Sequence, residues 1–113
     1  MKINKENAEH YIWGSICDGW HLVKTDELSI IHEKMPAKTS EVRHFHQEAK
    51  QFFFVLSGQA TIEVNGEITR LNEHEGIEIL PKVPHQMMNN SDCDIEFIVV
   101  SSPTSKGDRI LVE

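Results

Sequence analysis

Basic residues are scarce in this chain: eleven Lys and Arg stand against eighteen Asp and Glu, a formal net charge of −7 over 113 residues. No nucleic-acid partner is expected, because no basic patch exists to neutralise phosphates. A small anion held by one local Arg or by a metal remains compatible with that balance. Cysteine is nearly absent. Cys17 and Cys93 lack C-x-x-C spacing, and free thiols are expected rather than a disulfide. Long apolar runs are missing as well. None approaches the ~20 residues that cross a bilayer, so no membrane partner is expected. The opening MKINKENAEH is polar and without the apolar stretch of a signal peptide, which makes a cytoplasmic location the expectation. Repeats, low-complexity segments and interdomain linkers are lacking too, and the length suits one domain with one core.

Helical periodicity is almost absent, and in its place stand short β-rich runs separated by turn residues at intervals near ten. That pattern belongs to an all-β sandwich or barrel. The expected strands are 21–23, 28–35, 42–46, 51–56, 60–65, 67–71, 76–80, 85–89 and 95–101. Asn65-Gly66 between two of them is the strongest hairpin signal in the chain. Around this body, residues 1–25 are expected to pack on the barrel or on a partner subunit. Residues 26–102 form the barrel, and 103–113 form an arm crossing onto the barrel or a neighbour.

Alternation sharpens the picture. In QFFFVL, Gln51, Phe53 and Val55 face one way and Phe52, Phe54 and Leu56 the other. In IEFIVV, Ile95, Phe97 and Val99 oppose Glu96, Ile98 and Val100. Strands apolar on both faces cannot leave one side in water. The second side must be covered by the N-terminal segment or by another subunit, which favours a homodimer.

The same alternation sets His44 and His46 side by side, their Cα atoms ~6.5–7 Å apart on one strand face. Two imidazoles so placed can converge on one ion with bonds of ~2.0–2.2 Å. In LPKVPHQMMNN, Pro81 and Pro84 impose an extended turn that delivers His85 to the start of a strand, with Met87 and Asn89 on its face. His10, His21, His32 and His74 lack convergent spacing and read as surface or packing residues. Arg43, one residue from His44, points to the opposite face and suits a surface ion pair. Arg70 lies across the Asn65-Gly66 hairpin from Thr61, near Glu63. Tyr11, Trp13 and Trp20 read as packing of the N-terminal segment, with the pocket mouth as the alternative.

These residues resemble the two motifs of the cupin superfamily. The first, H-x-H-x(4)-E-x(6)-G, is matched by His44, His46 and Gly58, with Gln51 where the family has glutamate. The second, P-x-G-x-x-H-x(3)-N, is matched at His85 and Asn89. Lys38, His74, Leu80 and Lys82 replace glycines and a proline of these motifs, with Gly76 and Pro81 nearby to shape the turns. The resemblance implies a single-domain double-stranded β-helix, the RmlC-like jelly roll. It further implies a divalent transition metal (Zn, Ni, Fe, Mn or Cu) on His44, His46, Gln51 and His85. Phe53, Val55, Met87, Asn89 and Phe97 would line the pocket.

Gln51 alters the expected site. Three neutral imidazoles and an amide leave a divalent ion its full charge, so affinity should fall while Lewis acidity rises. Such a site favours an anionic chelating ligand. As an alternative, Gln51 is a buried amide bonded to backbone. Glu48 shares the parity of His44 and His46 and is the candidate base or rival ligand, although residues 47–50 belong to a strand connection. The expected function is a metal-dependent enzyme of dioxygenase, isomerase or lyase type acting on a small polar or anionic metabolite. The alternatives are a non-catalytic, sugar-like binding module and a metal-free structural homodimer.

Overall fold

The computed structural model describes residues 1–112. Its strands are β1 (Glu9–Trp13), β2 (Cys17–Lys24), β3 (Ser29–Met35), β4 (Thr39–Ser40), β5 (His44–His46), β6 (Lys50–Ser57), β7 (Ala60–Val64), β8 (Glu67–Leu71), β9 (Gly76–Ile79), β10 (His85–Asn89), β11 (Ile95–Ser102) and β12 (Arg109–Leu111). One antiparallel sheet runs β1-β2-β3-β11-β6-β9, the other β12-β5-β10-β7-β8, with β4 added on β10. The fold is therefore an all-β jelly roll.

Alternation decides which side chains fill it. Along β6, Gln51, Phe53 and Val55 are buried while Phe52 is exposed; along β11, Ile95, Phe97, Val99 and Ser101 are buried. With Met35, Ile62 and Met87 they form one apolar core. Each large side chain so buried contributes ~1.5–3 kcal/mol relative to exposure. Asn65 and Gly66 both take positive φ in the two-residue turn joining β7 to β8, the geometry that matches strand twist.

Three strands were not legible in the sequence. β1 forms a hairpin with β2 at the sheet edge, and β12 pairs β5 with all three residues exposed. β4 has only two residues. Edge strands held by backbone bonds need no apolar alternation, so pattern reading misses them. Residues 9–13 and 17–24 thus extend the sheet as β1 and β2. Lys5 also reaches Glu96 at 3.0 Å and sits over the Trp20 ring, covering part of the outer face. Phe52 stays 41% exposed there.

The turns where the family motifs place glycine are formed differently from the expectation. Lys38, His74 and Lys82 themselves adopt φ of 62°, 64° and 69°. Gly76 does not shape its turn: it lies in β9, where a Cβ would come within 2.6 Å of the Phe53 carbonyl oxygen. The left-handed conformation costs a residue with a side chain roughly 1–2 kcal/mol. Lys82 bears this cost next to the site, its N–H donating to the His46 carbonyl at 2.6 Å. Lys82→Gly should therefore stabilise the fold by about 0.5–1 kcal/mol and raise Tm by several degrees, read by thermal unfolding.

Candidate metal centre

The site is built by strand register. Across the β5–β10 ladder His85 stands directly opposite His44, and His46 follows two residues along β5 on the same face. All three imidazoles are buried, and one ring nitrogen from each lies within 4.8 Å of the others.

Local bonds aim the rings. The Nδ1–H of His44 donates to the Val42 carbonyl at 2.8 Å, and that of His85 to the Val83 carbonyl at 3.0 Å. Each ring thus bonds the carbonyl two residues earlier, which leaves Nε2 as a lone pair pointing inward. Both nitrogens of His46 are buried without a partner among the described residues. Burial lowers the pKa of all three rings, that of His44 to about 3; His85 and His46 depress His44 further, and His85 depresses His46. They are neutral at pH 7 and able to ligate.

Gln51 joins them from β6. Its Nε2 donates to the Ser101 hydroxyl at 2.9 Å, the residue directly across on β11, and its Oε1 lies 3.1 Å from His85 Nε2. With the His85 proton on Nδ1, two acceptors face each other at that distance. Two ligands at right angles on one ion, with bonds of ~2.1 Å, stand roughly 3 Å apart. An unpartnered imidazole, inward lone pairs and an amide oxygen aimed at the same point fit a divalent transition ion. Gln51 is bonded to a side chain rather than to backbone, so the buried-amide alternative holds only in this modified form.

His44, His46 and Gln51 open on a pocket of about 200 Å³, whose walls include Tyr11, Trp13, Glu33, Glu41, Phe53 and Arg109. A larger cavity of about 500 Å³ adjoins it, sharing Tyr11, Ile31 and Ser105, and is lined by none of the three histidines. Of the expected lining only Phe53 is in the smaller one. Val55, Met87 and Phe97 are packed in the closed core, because that depth of the barrel is filled by side chains. Asn89 is a structural clasp, its Nδ2 donating to the Met35 and Cys93 carbonyls and its Oδ1 accepting from Ser91.

Glu48 is also placed elsewhere. It is exposed, outside the pocket wall, because the chain turns after His46 and ends its alternation. Its N–H donates to Asp108, whose carboxylate accepts from the successive backbone N–H groups of Gln47, Glu48 and Ala49 at 2.9–3.0 Å. Arg43 pairs with Glu63 at 2.6 Å, and Arg70 lies across from Thr61. Cys17 and Cys93 are free.

The sequence reading missed three charged groups. Glu33 had a signal: in 28–35 it shares parity with Ser29 and Met35, both buried, so an acid was due on the inner face. Glu41 precedes β5, its Oε2 accepting the Met87 N–H at 2.8 Å. Burial raises both carboxyls, Glu33 to about 8 and Glu41 to about 7. Arg109 lies on β12, its guanidinium 3.4 Å from His44 Nδ1, and no pattern announced it.

Residues 31–101 match the family model described as "Cupin domain". The chain is a cupin. Its sequence is 34% identical to an uncharacterised protein of Aquifex aeolicus over 77 residues, 67% of this chain and 63% of that relative. The match thus spans less than two thirds of that relative's length. Solved structures share the fold. The RmlC-like cupin of Shewanella frigidimarina superposes with a TM-score of 0.84 at 20% identity, covering 93% of this cupin and 92% of the other. KdgF from Halomonas sp. gives 0.82 at 18% identity, covering 89% and 91%.

The C-terminal strap makes a prediction of its own. Burial pushes the Asp108 carboxyl up, but the N–H groups of Ala49, Glu48 and Gln47 outweigh it and hold the pKa below its usual range. A depressed folded pKa stabilises above the unfolded value and is lost as pH falls through the folded one. Asp108→Ala should cost about 1–2 kcal/mol at pH 7 in urea unfolding. The difference from wild type should close as pH falls through the depressed folded pKa of Asp108, below the ordinary aspartate value.

Proposed function

We propose that this cupin is a metal-dependent enzyme acting on a small polar or anionic metabolite, with His44, His46, His85 and Gln51 holding one divalent transition ion. The observation that carries this reading is the unpartnered, buried His46 ring beside the Gln51 oxygen and the His85 lone pair. Native interiors rarely leave such groups unsatisfied. An ion bound there would polarise a substrate oxygen or acidify a water. Arg109 at the pocket wall supports an anionic substrate, since a guanidinium recognises carboxylate or phosphate oxygens in a planar fork. Phe53, Ile31 and Val99 supply the apolar wall. Neutral ligands and the raised Glu33 and Glu41 carboxyls would keep the pocket from repelling an anion in a protein of net charge −7.

We further propose a homodimer formed through the outer face of the sheet containing β6 and β11. Phe52 is exposed there, while Phe54, Ile98 and Val100 are only half-buried. A second copy would remove this apolar surface from water.

Elemental analysis of protein purified without chelator should find close to one equivalent of a transition metal. His46→Ala should lose it, and Gln51→Glu should tighten binding roughly tenfold or more by adding a charge. Metal-free native protein, with His46→Ala leaving both thermal stability and ligand binding unchanged, would sink this reading in favour of a non-catalytic module. For the assembly, analytical ultracentrifugation should give twice the chain mass, and Phe52→Glu should give the single-chain mass.

A further inference from the structure

The triad and Gln51 can hold an ion, but neither they nor Glu48 provide a group to move protons. The wall opposite supplies one. β3 carries Glu33 on its inner face, and the Tyr11 hydroxyl, reaching over from β1, donates to Glu33 Oε2 at 3.3 Å. The crossing is engineered into β2: a Cβ at Gly19 would lie 2.4 Å from Tyr11 Cζ and 2.7 Å from its hydroxyl oxygen. Since only glycine leaves that path clear, the phenol can lie flat across β2 and meet the carboxyl. Both residues line the pocket that holds His44, His46 and Gln51.

We propose that Glu33 passes protons to and from a molecule bound against the histidine triad, with Tyr11 as its positioning residue. The inference rests on the enzymatic reading above and narrows it to proton-shift chemistry. In one half of a turnover the Glu33 O–H gives its proton to a substrate atom and becomes a carboxylate. In the other half that carboxylate takes a proton from a second substrate atom and is restored. No oxidant or co-reactant is consumed, so the net change is an isomerisation.

Two facts separate Glu33 from its neighbour Glu41. Glu41 is tied down by the Met87 N–H and stands 3.9 Å from the His44 ring, so it serves the geometry of the triad. Glu33 has the Tyr11 hydroxyl on one oxygen and leaves the other available. The groups facing it are Tyr11 from β1, Cys17 from β2, Glu41 before β5 and Arg109 from β12. Burial and then Glu41 raise its pKa to about 8, against the lowering effects of Tyr11 and Arg109. An ion at the triad would draw that value down toward neutrality, where an acid–base group is most effective.

The test uses metal-loaded protein in D₂O with a panel of small 2-oxo and 2-hydroxy acids, following loss of C–H signals by proton NMR. Wild type should exchange at least one of them, and Glu33→Gln should slow that exchange about 100-fold or more while keeping its metal. Tyr11→Phe should retain exchange but move its pH midpoint upward, because the phenol hydrogen bond favours the carboxylate. A merely structural Tyr11 would leave the midpoint in place. Carbon-13 NMR of the Glu33 carboxyl should place its titration above pH 6. Exchange in Glu33→Gln within about threefold of wild type, or a carboxyl titrating below pH 5.5, would overturn this inference alone. Metal-loaded wild type that exchanges nothing in the panel would overturn it together with the proton-shift reading, while full metal content would still support the metal site.

Discussion

Everything at the centre of this molecule depends on one cross-strand pair, His44 opposite His85. A shift of one residue in the β5–β10 register would turn one imidazole out of the barrel and leave the other two without a third. The register is held from several sides. β4 pairs Thr39 and Ser40 with Asn89 and Met88, and β7 holds the other edge of β10. The Lys82 N–H ties the preceding turn to the His46 carbonyl. Strain in the turns is thus borne where the histidines need it.

A second constraint follows from burial. Water is excluded from three imidazoles, so each loses its affinity for protons, and none can satisfy the others' lone pairs. The set is an electron-rich hole without formal charge. The family's usual carboxylate would offset an ion's charge from within, whereas Gln51 leaves the offset to whatever enters. The acids present, Glu33 and Glu41, stand on the facing wall with their pKa values raised by burial, and Arg109 is the pocket's cation.

The sequence made the barrel and its centre legible because both are written in alternation. The parity of 51–56 and 95–101 separated inside from outside, and the two motifs placed the triad and Gln51. What escaped was set by contacts that leave no periodic trace. β1 and β12 are edge strands joined through backbone; β12 delivers Arg109 to the pocket, and β1 brings Tyr11 and Trp13 to its wall, the placement the sequence had offered only as the alternative to packing. Glu48 misled because parity stops at the end of β5. Glu33 was readable by the same rule, had it been applied to the acid among apolar neighbours in β3.

The Asp108 carboxylate grips three consecutive backbone N–H groups, none of which belongs to a side chain. It therefore reads the shape of the connection after His46 and ignores its spelling. Gln47 and Glu48 face solvent, and substitutions there should pass without disturbing either the ring of His46 or the seat of Arg109. Variation in the two residues after His46 would thus leave a fixed loop unchanged, while Asp108, far along the chain, carries the geometric information for both.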